Sequence, residues 1–152
     1  GPKVEEFRKF LELPRLIGEE IEVVLTINPD DPDIDKLTRL GWRIRHPDTV
    51  RTPEMYCEYV RNSRGEFSCA KGGYAATRSG WFSDRAATYL AAGRPVITQE
   101  TGFSNIFPMG EGLFAFTTME EILSAVNEIN AEAIIGPNVN STKPISHGAM
   151  NR

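Results

Sequence analysis

Apolar positions along the chain come in short bursts whose spacing alternates between helical and extended. Over residues 3–13 (KVEEFRKFLEL), Phe7, Phe10 and Leu11 fall on one helical face, and Pro14 marks the end of the run. Residues 21–27 (IEVVLTI) are β-branched, short and closed by Asn28-Pro29, which predicts a strand. Asp33 is placed to cap a helix over 34–40 that stops at Gly41. Residues 42–46 (WRIRH) alternate as a strand does, and Pro47 stops them. Thr52-Pro53-Glu54 predicts a helix start, with Thr as the cap and Pro at the first helical position. That helix runs to about Asn62, with Met55 and Tyr59, and Tyr56 or Val60, turned inward. Further on, strands are predicted at 66–70, 95–99 and 112–116, and helices at 84–92 (capped by Ser83 or Asp84) and 119–130 (capped by Thr117 or Thr118). In the last helix Ile122, Leu123, Val126 and Ile129 share a face.

Strands alternate with helices, so the expected fold is α/β, a Rossmann-like three-layer sandwich with a mostly parallel sheet of about five strands. The periodic pattern stops near Ala133. The expected organisation is one domain over 1–132 and a polar tail over 133–152, rich in Gly, Pro, Asn, Ser and Thr. In such sheets ligands bind beyond the carboxyl ends of the strands. That rule puts the loops at 71–83 and 100–108, both rich in Gly, Ser and Thr, on one edge.

Composition narrows the function classes. The 152 residues, 40% hydrophobic and 25% charged, suit one globular domain, and no apolar run spans a membrane. No secretory signal is visible, and the expected location is cytoplasmic. A net charge of −4 argues against nucleic acid as the partner. The charge is uneven: residues 41–100 hold nine basic and six acidic groups, whereas both flanking segments are net acidic. The middle of the chain is therefore where an anion is least repelled. Cys57 and Cys69 fit neither a disulfide framework nor a zinc site, and read as two buried, reduced thiols.

The segment Ser79-Gly80-Trp81-Phe82-Ser83-Asp84-Arg85 carries the most chemistry. Gly80 and Trp81 lead into a helix start, where free N–H groups and the positive end of the dipole suit a diphosphate. Ser83 has a hydroxyl to donate, and Arg85, Arg78 and Lys71 supply counter-charge. Alternatively Ser83 or Asp84 only caps the helix, with the arginines solvated, and for Asp84 capping is favoured over catalysis. The second loop, Gln99-Glu100-Thr101-Gly102-Phe103-Ser104, offers amides and hydroxyls for phosphate or sugar, with Glu100 as an acceptor for sugar hydroxyls. Gly110-Glu111-Gly112-Leu113-Phe114-Ala115 matches a dinucleotide fingerprint, but it does not open a helix after a strand. No Walker loop, nucleophile elbow or calcium loop is present.

Residues 65–126 (GEFSCAKGGYAATRSGWFSDRAATYLAAGRPVITQETGFSNIFPMGEGLFAFTTMEEILSAV) resemble the carboxy-terminal, donor-binding half of bacterial GT-B-fold glycosyltransferases, and in particular a family of glycosyltransferase-like proteins. VEEFRKFLELPR (4–15) and LTRLGWRIRHPDTV (37–50) extend the likeness to about residues 4–130. The resemblance implies one half of a GT-B fold that binds a nucleotide sugar as donor substrate, without a cofactor or a metal. It implies a diphosphate at Gly80–Ser83 and the following helix, Gly102 and Ser104 near the sugar and phosphates, and Lys71 and Tyr74 on the nucleotide side. It also implies an amino-terminal acceptor domain as a partner absent from this sequence, so that the chain alone is inactive. The family's first donor-domain strand has no counterpart before residue 3, and an open sheet edge at that place would offer a homodimer contact. The alternative function is a stand-alone α/β interaction module derived from such an enzyme.

Overall fold

The computed structural model describes residues 3–135 and 145–151. The described residues form an α/β sandwich around a six-stranded sheet, in the order β2-β1-β6-β3-β4-β5, with every strand pair parallel. The strands are β1 (Ile21–Thr26), β2 (Trp42–Arg45), β3 (Gly65–Ser68), β4 (Val96–Gln99), β5 (Leu113–Phe116) and β6 (Ile145–Asn151). The helices are α1 (Lys3–Arg8), α2 (Leu13–Ile17), α3 (Pro32–Arg39), α4 (Pro53–Arg61), α5 (Gly72–Ala76), α6 (Asp84–Ala91) and α7 (Met119–Ile135). The Rossmann-like architecture expected from the alternation of elements is present, with six strands rather than about five.

The sixth strand lies where the sequence pattern predicts a tail. Helix α7 continues to Ile135, and residues 145–151 enter the middle of the sheet between β1 and β3. Ile145 pairs with both Ile21 and Gly65, and Ser146 with both Glu22 and Glu66. The remainder of the expected tail lies outside the described residues. The physical reason is that two parallel strands flanking an empty slot leave a row of amides and carbonyls unpaired, so even a polar segment gains by filling it. Residues 145–151 thus hold an interior place, and among the described residues the sheet ends at β2 and β5.

Local details differ from the pattern in instructive ways. The helix expected over 3–13 breaks into α1 and α2, because Pro14 starts a second helix at its first turn instead of simply ending the first. Asp31, not Asp33, caps α3, its carboxylate accepting from the Asp33 amide at 2.9 Å. Thr52 caps α4 as expected, its hydroxyl accepting from the Met55 amide at 3.1 Å; Tyr59 and Val60 turn inward, but Met55 is exposed. Thr118 and Glu121 form a capping pair at the start of α7.

One face of the sheet is apolar, and the other mixes a smaller apolar cluster around Val96, Tyr89 and Leu113 with buried polar residues. Ile21, Val23, Leu25, Phe67, Ile97, Phe116 and Ile145 meet α1, α2, α3 and α7 in the main core. Its aromatic centre stacks Phe67 on Phe116 at 5.3 Å and sets Phe7 edge-on to Trp42 at 4.8 Å. The opposite face presents Glu22, Ser146 and Glu66 side by side in register, under α4 and α6. An ion pair between the buried Arg64 and the half-buried Glu19 (2.6 Å), bridged by Asn130, ties the amino ends of β1 and β3 to α7.

Candidate functional site

The loops after β3 and β4 meet at the carboxyl edge, as the sequence predicts. The Gly80 amide donates to the Thr101 carbonyl at 2.8 Å, and the Thr101 hydroxyl donates to the Trp81 carbonyl at 2.6 Å. Thr101 is fully buried, so these bonds are shielded from water. Gly102 has φ +95°, and a Cβ there would sit 3.0 Å from the Arg78 carbonyl oxygen; glycine is needed both for the conformation and for the close approach. Arg78 itself adopts φ 50°, a left-handed conformation that costs a non-glycine residue about 1 kcal/mol.

The predicted residues divide into two groups. Several organise the loops. Glu100 accepts from the Gly102 amide at 2.6 Å. Burial works against its charge, but hydrogen bonds from the Ser104 hydroxyl and the Gly102 and Ser104 amides, with the Arg78 charge, outweigh it and hold its carboxyl below the ordinary range. Ser83 is buried and caps α6, its hydroxyl oxygen accepting from the Arg85 amide at 3.2 Å. The others face solvent at least in part. Lys71 and Arg78 are exposed, as is Asp84 in the first turn of α6. Tyr74 stacks on Trp81 at 5.3 Å with the Lys71 Nζ 5.9 Å from its ring centre, so these three residues form one amphipathic platform beside the loop.

Glu6 of α1 clamps the same edge. The Gln99 side chain donates to Glu6 at 2.8 Å and accepts from the Ala70 amide at 3.0 Å. The Gln99 bond, with Lys9, lowers the Glu6 pKa. Cys69, just beyond β3, is buried and its thiol is pushed up to about 12, an unreactive group, whereas Cys57 is exposed.

Glu66 and Tyr89, which sequence reasoning passed over, lie under α4 and α6 together with Arg85, which that reasoning places at the diphosphate. A cavity of about 170 Å³ opens there, lined by Tyr56, Tyr59, Glu66, Arg85 and Tyr89. Val24 and Val50 complete its wall. Glu66 is 1% exposed and neither carboxylate oxygen has a hydrogen-bond partner. Burial pushes its pKa up to about 7 against the pull of Arg85 and Lys3. The Tyr56 hydroxyl is likewise buried without a partner, and its pKa rises to about 12 through burial. Lys3 Nζ, also unpartnered, is lowered to about 8 by burial and by Arg85. The only hint of this in the sequence is Glu66 itself, an acid inside a predicted strand. A larger hollow of about 260 Å³ between α1 and α3 is lined mostly by apolar residues, among them Phe7, Leu25 and Leu37.

Among the described residues no group of three or more His, Cys, Asp or Glu side chains is arranged to hold a metal, and no helix is long and apolar enough to cross a membrane. Comparison of the chain with protein-family models, curated proteins and solved structures yields no match.

Proposed function

We propose that the carboxyl edge of the sheet binds the diphosphate of a nucleotide sugar, in the manner of the donor-binding half of a GT-B-type glycosyltransferase. The observation that carries this reading is the stitching of the β3 and β4 loops, through Gly80, Trp81 and Thr101, directly ahead of the α6 amino terminus. A rigid turn that ends in a helix start presents amides without intrahelical partners to a bound anion. The exposed Arg78 and Lys71 supply positive charge in the same chain segment, whereas the Arg85 side chain lines the cavity with Glu66 beneath α4 and α6. In sugar transfer these groups would stabilise the departing diphosphate without a metal, because the developing charge meets oriented dipoles and cations. Transfer itself would require an acceptor-binding partner domain. The test is an amide NMR titration with UDP and GDP. Binding at millimolar affinity or better, with shifts at Gly80–Arg85 and Gly102–Ser104, is the expected result; shifts absent with both nucleotides would refute the reading.

A further inference from the structure

We infer that the cavity beneath α4 and α6 is a binding site for a neutral polyol ring, with the Glu66 carboxylate accepting hydrogen bonds from its hydroxyls. The cavity is lined by a carboxylate that is 1% exposed with both oxygens unpartnered, and by a buried tyrosine hydroxyl, Tyr56, that also lacks a partner. Each such group costs folding free energy unless something else satisfies it. Tyr59 and Tyr89 line the same space. The Tyr89 hydroxyl is already engaged with Ser146 at 2.5 Å, which leaves its ring as an apolar wall.

Charge selects the ligand class. A cation seated against Glu66 would face Arg85, which lines the cavity, and Lys3, whose charge also acts on Glu66. An anion would face the carboxylate. A neutral ring bearing adjacent hydroxyls avoids both penalties. Its hydroxyls donate to Glu66 and accept from Tyr56, while its C–H faces lie on tyrosine rings. Arg85 stands two residues after the α6 cap, Ser83, so the cavity adjoins the proposed diphosphate position. Identification of the ring with the ribose or the sugar of a donor rests on the diphosphate reading; the polyol site stands on the cavity alone.

Two uncharged probes separate the sources: methyl β-ribofuranoside for a ribose and methyl α-glucopyranoside for a hexose. Each is titrated into the full chain with amide NMR detection. The expected result is a saturable shift at Val24, Tyr56, Glu66 and Arg85, larger for the ring that belongs there. Glu66→Gln and Tyr56→Phe should each weaken that binding about tenfold, in keeping with the loss of a buried hydrogen bond. Tyr56→Phe removes a single hydroxyl from a half-buried side chain, and so keeps the test decisive if Glu66→Gln disturbs the fold. Cavity amides unmoved by either glycoside, or both variants binding as the parent does, would overturn the inference. If UDP moves Gly80–Arg85 while the glycosides leave the cavity unmoved, the polyol site falls and the diphosphate reading survives. If a glycoside moves the cavity amides while UDP leaves Gly80–Ser83 unmoved, the polyol site survives and the diphosphate reading falls.

Discussion

Replacing Glu66 with Gln should make the protein more stable at neutral pH and abolish one component of its pH dependence. Burial raises this carboxyl from its ordinary value of 4.5 to about 7, even with Arg85 and Lys3 favouring the charged form. A pKa raised on folding means that the folded state binds the proton more tightly than the unfolded state. The stabilisation is therefore complete below the unfolded value, declines as pH rises through the interval 4.5 to 7, and is gone above it. A shift of this size corresponds to about 3 kcal/mol between the two ends of the window. Gln has no charge to bury, so the variant should match the parent near the acid end and exceed it by about 2 to 3 kcal/mol at slightly alkaline pH. Lys3 works in a separate window: its lowered pKa costs stability as pH falls from 10.5 through about 8. Measurements kept below pH 7.5 therefore isolate Glu66. Urea unfolding followed by fluorescence of the buried Trp42, at a series of pH values, gives the free energies. If parent and variant differ by the same amount at every pH, the carboxylate is not an uncompensated buried charge and the reasoning fails. The stability sacrificed at Glu66 is what a binding residue is expected to cost in the unliganded state.

Other substitutions test the neighbouring contacts. Thr101→Val removes the donor to the part-buried Trp81 carbonyl and should cost about 1 kcal/mol in urea unfolding, with matching loss of amide protection at Gly80. Ser83→Ala should destabilise by about 1 kcal/mol as a lost helix cap, whereas Ser83→Gly should cost only a few tenths; both should weaken UDP binding if the hydroxyl meets phosphate. Arg64→Met removes the ion pair with the half-buried Glu19, whose carboxylate keeps the Asn130 bond, for a loss of about 1 kcal/mol by the same unfolding assay.

Much of this arrangement can be read in the residues themselves. Thr52-Pro53 and Thr118 announce their helices because capping is local chemistry, and the same holds for Ser83. The meeting of the two loops follows from strand alternation and the rule that parallel strands share one carboxyl edge. What escaped the pattern depends on the rest of the molecule. Residues 145–151 carry serine, histidine, glycine and asparagine and no clear alternation, and become a strand because β1 and β3 present unpaired edges on either side. Asp31 displaces Asp33 as the cap because Pro32 fills the first helical position, which moves the boundary by two residues. The burial of Glu66 is equally invisible locally. Alternation through Glu66, Phe67 and Ser68 puts the acid on the face opposite Phe67, and only the packing of α4 and α6 over that face removes it from water.

The central claim concerns phosphate, and phosphorus NMR reads it without reference to the protein spectrum. With UDP in modest excess over the chain, both phosphorus resonances should shift and broaden, and the effect should diminish with Arg78→Gln and with added salt. Sharp, unshifted resonances at every protein concentration would contradict the claim that this sheet edge holds a diphosphate.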